Sequence, residues 1–448
     1  MQAILKMIQD LALKHDKVPP ELVREKNIKL GLRNEDGTGV FVGITSKGQV
    51  IGYKKEIGGD GSERKLDLEG ELYYCGYNVL DLVKHQQKEG RFGFEETTYL
   101  LLTGELPPKE HLEIFSSELA QRRHLPMGAK KVILSMPPHD DQMGTLHTVV
   151  SAMHLFDSNP NSTDLKDLAR QCIDLIAQFP TIVAYNYLAL AGHGKGLDVL
   201  LEPDEQLSHA ENFLYLLKGK RPDKLTAGLF DMMLVLHAEH GGGNNSTFTV
   251  RTVSSSGANS YMAICSGIAS LSGHLHGGAN EAVESMMDNI KSYVKDWSDD
   301  GEVACCLEKI LDKKLNDKTG KIYGIGHAVY TKSDPRAVIL ESKAEEIAKK
   351  NNMAEEYGLY QKVARLAPKI VEEKKGKIAS ANVDFYSGFV YRAMGIPKEL
   401  YTPIFAMSRV AGWSAHRIEE IIQGKLIRPS YYSSLPEMKK QYTPLAKR

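Results

Sequence analysis

The chain has 448 residues, of which 42% are hydrophobic and 25% charged, and a formal net charge of −1. That length is enough to bury a large core and suggests one large domain with a smaller one. The charge balance excludes a broad affinity for nucleic acid or anionic membrane, so an anionic ligand has to be held by a local cluster of cations.

The apolar spacing of residues 1–25 predicts a helix that ends ahead of Pro19-Pro20. Asp10, Asp16 and Glu21 in this stretch argue against an Arg-rich, acid-poor transit peptide. Residues 38–60 carry the strongest strand signal, Gly39-Val-Phe-Val-Gly-Ile and Gln49-Val-Ile-Gly-Tyr, divided by Ser46-Lys-Gly. Gly58-Gly-Asp-Gly reads as a turn. Beyond residue 70 nearly every segment has helical spacing. Leu100-Leu-Leu-Thr-Gly ends one helix at a glycine, and Pro107-Pro108 opens the next stretch. Gly192-His-Gly-Lys-Gly lacks the leading Gly and following Ser or Thr of a phosphate-binding loop. In residues 226–240, Leu229, Met232, Met233, Leu236, His237 and His240 share one helical face. Residues 257–273 form a helix rich in Ala, Ser and Gly, which lets another helix approach closely, at a buried pair or a subunit interface. No 20–50-residue repeat is present. The expected fold is all-α with a minor β piece near the N-terminus.

The five cysteines, Cys75, Cys172, Cys265, Cys305 and Cys306, show no Cys-x-x-Cys spacing. Reduced thiols fit better than a disulfide framework, so the expected location is cytoplasmic. No run approaches the roughly 18 apolar residues of a membrane helix.

Three segments carry the chemistry. His276, in Leu-His-Gly-Gly-Ala-Asn, precedes Gly277-Gly278, where missing side chains let a ligand approach backbone. Asn280 can cap a helix through 281–290, and a histidine ahead of a helix N-terminus is favoured as neutral imidazole. The plain alternative is a loop histidine bonded to backbone. His327, in Gly-Ile-Gly-His-Ala-Val, leads into Tyr330-Thr-Lys-Ser-Asp-Pro-Arg336, where Ser333 or Asp334 looks like an N-cap and Pro335 the first helical residue. Arg336 then sits where the helix dipole disfavours a cation; a bound carboxylate explains it, unless it is a solvated surface residue. Asp384 can cap a helix over 385–394, while Val383, Phe385 and Tyr386 partly desolvate it toward a useful base.

Arg409 is the only charge in residues 403–413. No acid lies near it in sequence, so its partner is distant in the chain or a ligand. Arg428, before Pro429, is a surface residue unless an anion claims it. Lys374, Lys375 and Lys377 read as a solvated helix end that could also meet phosphates.

These segments together resemble citrate synthase, including its 2-methylcitrate synthase relatives, over roughly residues 30–430. The likeness extends to Phe94-Glu-Glu…Tyr99-Leu-Leu-Leu-Thr-Gly-Glu-Leu-Pro, Pro180-Thr-Ile-Val-Ala-Tyr and His237-Ala-Glu-His240-Gly-Gly-Gly-Asn. It implies a large helical domain over 1–277 and 395–448, a small one over 278–394, closure over the substrates, and a homodimer. It implies condensation of acetyl-CoA with oxaloacetate to citrate, a reaction of the tricarboxylic acid cycle, or of propionyl-CoA to 2-methylcitrate. By the family pattern Asp384 is the base, His276 stabilises the enol oxygen and His327 polarises the ketone. His240, Arg336, Arg409 and Arg428 match oxaloacetate-binding positions, Arg428 acting across the subunit interface. No metal or redox cofactor is implied. Two departures stand out: His274 replaces a common Pro, and Thr331 stands where some members carry an Arg near CoA, leaving Lys332 and Lys377 as substitutes. Outside the family, His237-x-x-His240 with Glu239 is the only hint of a metallohydrolase, and a non-enzymatic helical interaction protein would leave the polar set idle.

Overall fold

A computed structural model describes residues 2–15, 18–57, 63–137, 139–191, 200–433 and 441–447. The glycine-rich turn at 58–61 and the 192–196 segment lie outside the described residues. The described chain is mainly helical, with a single three-stranded antiparallel sheet in the order β1-β2-β3. It divides into two compact units, Met1–Asp81 with Val283–Val390, and Leu82–Ala282 with Tyr391–Arg448. Residues 1–81 thus group with the 283–390 segment, a placement the sequence reading did not make.

In the first unit, β1 (Gly48–Ile57) pairs with β2 (Glu63–Tyr74), and β3 (Tyr77–Asn78) adds to β2. Glycines let this sheet lie against the 329–333 segment. A Cβ at Gly52 would stand 2.3 Å from the Val329 carbonyl oxygen, and one at Gly70 2.2 Å from that of Ser333. Thr331 Oγ1 then donates to the Gly52 carbonyl (3.0 Å). Gly52 also sits at the register shift between Ile51 and Tyr53. Only the second expected strand formed as foreseen. Residues 39–44 join no sheet: Gly39 makes an isolated antiparallel bridge with Arg33, Val40 N donates to the Leu32 carbonyl (3.0 Å), and Phe41 and Ile44 are exposed. The N-terminal helix, Gln2–His15, ends ahead of Pro19-Pro20 as expected, with Ile4, Leu5, Ile8 and Leu11 exposed, and a further short helix, Pro20–Glu25, follows it.

The second unit is built on helices Leu165–Ala191 and Tyr401–Gln423, which pack on each other and on Ser260–Leu271, while Tyr401–Gln423 also packs on Asn245–Ser255. Within helix Leu165–Ala191, the stretch Leu165–Leu190 is long and apolar enough to cross a membrane by length and composition, but 67% of its apolar window is buried in the protein. The Ala/Ser/Gly-rich helix is one of a buried set: a Cβ at Gly267 would meet Val250 at 2.7 Å and Trp413 at 3.1 Å. Gly104, left-handed at φ 90, ends helix Phe94–Thr103 as expected. Cys172, Cys265 and Cys306 are buried thiols, and Cys75 Sγ lies 3.8 Å from the Lys47 carbonyl.

Candidate active site

The first unit gathers His327, Arg336 and Asp384. The loop before His327 is tied to the strand-like segment before Asp384 by a bridge between Ile325 and Ala381. Gly326 N donates to the Ser380 carbonyl (2.8 Å), and Asn382 Nδ2 donates to the Gly326 carbonyl (2.8 Å). Gly326 has φ 97, a conformation open to glycine and costly for other residues. The amides of Val329 and Tyr330 both donate to His327 Nδ1 (3.1 and 3.2 Å). An imidazole nitrogen that accepts carries no proton, so the ring hydrogen is on Nε2. Burial, with Arg336 adding to it, pushes the His327 pKa down to about 4.

Asp334 is the N-cap of helix Pro335–Lys350 and accepts from the Arg336 amide (3.0 Å). Its carboxylate also takes Arg336 Nε (3.0 Å) and Nη2 (2.8 Å), with both side chains buried. The cation in the first turn is therefore explained by a protein carboxylate, not by a ligand alone. Burial opposes the Arg336 charge, but Asp334 more than offsets it and raises the pKa, with Asp384 contributing. Asp334 Oδ2 further accepts from Val383 N (3.2 Å), which joins Arg336 to the start of helix Val383–Ala393. Asp384 lies in the first turn of that helix and is partly buried, but it is not the cap: its amide donates to Asn382 Oδ1 (3.0 Å).

The second unit gathers His276, His240 and Arg409. Ser246 N donates to His276 Nε2 (3.3 Å), and the Ser246 hydroxyl lies 3.0 Å from the same nitrogen. The ring proton is therefore on Nδ1. Ser246 Oγ is itself held by Trp413 Nε1 (3.2 Å). Burial first and Arg409 second push the His276 pKa down to about 4. Neutral imidazole was expected, but from the helix dipole; desolvation and a buried cation do the work. Helix Ala279–Tyr293 starts ahead of Asn280, whose Oδ1 accepts from Glu281 N (2.9 Å). Gly277 serves internal packing, since a Cβ there would lie 2.0 Å from the Leu271 carbonyl oxygen.

His240 is buried in the turn beyond helix Lys224–His237, not on the helix itself. Arg409 is fully buried on helix Tyr401–Gln423, with Nε donating to the His237 carbonyl (2.6 Å) and its guanidinium 4.6 Å from the Phe405 ring centroid. Among acids distant in the chain, Glu239 is one whose charge its guanidinium stabilises.

Arg428 lies in the exposed segment past Gly424, and Lys332 and Lys377 are exposed. His274 is exposed as well. His237 Nδ1 bonds the Met233 carbonyl (2.7 Å), the ordinary role of a core histidine. No group of three His, Cys, Asp or Glu placed to hold a metal is found among the described residues. Sequence reasoning missed Ser246, Asp334's hold on Arg336, and Glu239 with His416. The Asp-Pro-Arg spacing could have revealed the second, since an N-cap acid two residues from an arginine can reach it.

A family model described as citrate synthase, C-terminal domain, matches residues 49–430. A citrate synthase of Haloferax volcanii is 39% identical over 371 residues, 80% of this chain and 88% of that protein. A 2-methylcitrate synthase of Shewanella oneidensis is 33% identical over 85% of this chain and 93% of its own. A solved structure of Thermoplasma acidophilum citrate synthase, in ternary complex with carboxymethyl coenzyme A and oxaloacetate, superposes with a TM-score of 0.76 at 27% identity, covering 94% of this chain and 99% of that one. With two neutral histidines each accompanied by a buried arginine, and a family match over most of its length, the chain belongs to the citrate synthase family.

Proposed function

We propose that the chain joins the acetyl group of acetyl-CoA to oxaloacetate, giving citrate and CoA. The observation that supports this most is the state of the two imidazoles. His276 and His327 are both neutral, each accepts backbone N–H on one nitrogen, and each keeps its proton on the other. A neutral ring can donate to an oxygen gaining charge without a prior proton loss.

In this reading the Asp384 carboxylate takes a proton from the thioester methyl group while His276 Nδ1–H donates to the carbonyl oxygen. The enol carbon forms the new C–C bond to the oxaloacetate ketone carbon, whose oxygen takes hydrogen from His327 Nε2. Water then cleaves the C–S bond of the citryl thioester and CoA leaves as thiol. A positioned base contributes about 10²–10⁴-fold and an oxyanion donor about 10²–10³-fold, so both are required. Arg336, Arg409 and His240 hold the oxaloacetate carboxylates, Arg428 is supplied by a second copy in a homodimer, and Lys332 and Lys377 meet the CoA phosphates. Cysteines without Cys-x-x-Cys spacing, three of them buried as thiols, favour a reducing, cytoplasmic compartment.

Propionyl-CoA, giving 2-methylcitrate, is the second reading, supported by the Shewanella relative. One methylene is worth only about 1–3 kcal/mol in a pocket. The test is thiol release with each acyl-CoA. Release that depends on oxaloacetate, with a higher kcat/KM for acetyl-CoA, is expected. A higher value for propionyl-CoA overturns the citrate assignment, and release without oxaloacetate overturns the condensation.

A further inference from the structure

Three residues on one face of helix Tyr401–Gln423 grip three consecutive residues of the turn that carries His240. Arg409 Nε donates to the His237 carbonyl (2.6 Å), Gly412 N donates to the Ala238 carbonyl (3.2 Å), and His416 Nε2 lies 3.0 Å from Glu239 Oε1. The i, i+3, i+7 spacing puts the three on one stripe of the helix. Gly412 makes the approach possible, since a Cβ there would stand 2.4 Å from both the Ala238 oxygen and Glu239 Oε2. Glu239 Oε1 also accepts from Gly241 N (2.5 Å), so one carboxylate is bonded to the amide just past His240.

The other end of this chain of contacts is anchored too. Arg251 Nη1 lies 2.9 Å from His416 Nδ1 and donates to it, which leaves the His416 proton on Nε2, aimed at Glu239. Arg251 is itself fixed by Glu419 (2.5 Å) and Glu420 (2.8 Å). Glu239 and His416 are fully buried, and Arg251 is 5% exposed. Burial works against the Glu239 charge, but His416 and then Arg409 hold its carboxyl below the usual range. Glu239 thus joins His416 to the backbone amide just past His240, with the Arg409 charge acting on it as well.

We propose that His416 and Glu239 are positioning residues for oxaloacetate: through the 237–241 turn they set where His240 and the Arg409 guanidinium meet the diacid. This rests on the reading that His240 and Arg409 bind oxaloacetate. Neither residue touches the reacting atoms, so their loss acts on ground-state binding of one substrate. The acyl-CoA side is carried by other groups and stays as it is.

The experiment compares wild type with Arg409→Ala, His416→Ala, His416→Gln and Glu239→Gln, measuring KM for each substrate, kcat and oxaloacetate binding by calorimetry. For His416→Ala and Glu239→Gln, KM for oxaloacetate rises about tenfold, the size of one hydrogen bond to a charged group. The values of kcat and acyl-CoA KM stay within about twofold of wild type. His416→Gln, which can keep a donor near the Nε2 position, recovers most of the oxaloacetate affinity. If His416→Ala does not fold, Glu239→Gln against His416→Gln carries the same comparison. Unchanged oxaloacetate KM, or equal losses in both substrates and in kcat without rescue by Gln, overturns the proposal. If Arg409→Ala also leaves oxaloacetate binding intact, the failure lies in the underlying site assignment instead.

Discussion

Asp334 and Arg336 form a bidentate pair, Nε to Oδ1 at 3.0 Å and Nη2 to Oδ2 at 2.8 Å, with both side chains at 4% exposure or less. The same carboxylate caps the helix that carries Arg336 and accepts the amide of Val383. One acid therefore aligns the arginine and anchors the residue before Asp384.

Asp334→Ala removes that partner and leaves a buried guanidinium. Breaking a buried pair costs about 3–5 kcal/mol. Denaturant unfolding is expected to show a loss of this size, alongside weakened oxaloacetate binding. A loss under about 1 kcal/mol would mean that water replaces the carboxylate readily.

Asp384→Ala should lower kcat by about 10²–10⁴-fold, the range for a positioned general base. Oxaloacetate binding, measured by calorimetry, should remain detectable. Near-normal turnover would remove Asp384 from the mechanism.

The two histidines fix a pH dependence. Their folded pKa values are about 4, against an ordinary 6.5. The unfolded chain therefore binds more protons between these values, so the stability contributed by the neutral rings is complete above 6.5 and lost as pH falls toward 4. The pH profile of kcat/KM should show no inflection from these rings near 6.5, and their NMR titrations should have midpoints near 4. Either ring titrating near 6.5 would contradict the neutral-donor assignment.

Gly412→Ala places a methyl group 2.4 Å from a backbone oxygen and a buried carboxylate oxygen. Overpacking of this kind costs about 1–3 kcal/mol. The helix has to back away from the 237–241 turn, so a lower Tm and a raised oxaloacetate KM should appear together. A variant as stable as wild type would show that the turn yields easily.

Much of the site was legible because its residues sit in locally unusual settings. His327 between glycine and alanine, Arg336 after Asp-Pro, and Arg409 alone in an apolar run each conflict with ordinary local preferences. The plain alternative for Asp384, a helix cap, does not hold, because its amide donates to Asn382 Oδ1. Gly277 was read as room for a ligand, yet its missing Cβ accommodates the Leu271 carbonyl. Residues 39–44 look like a strand by composition but contribute only an isolated bridge from Gly39 to Arg33, because strand formation depends on a neighbour that periodicity does not supply.

Helical periodicity, punctuation by Gly and Pro, and the order of the polar segments were determined by the sequence alone, and they sufficed to indicate the fold class and the family. Which nitrogen of each histidine carries its proton, which acid answers each buried arginine, and why residues 237–241 hold their shape were decided only by tertiary structure. The reason is physical. Propensity and amphipathicity act between residues a few positions apart, whereas a tautomer or an ion pair depends on donors and charges brought near from distant parts of the chain. Ser246 beside His276, and His416 beside Glu239, are neighbours only once the helices have packed.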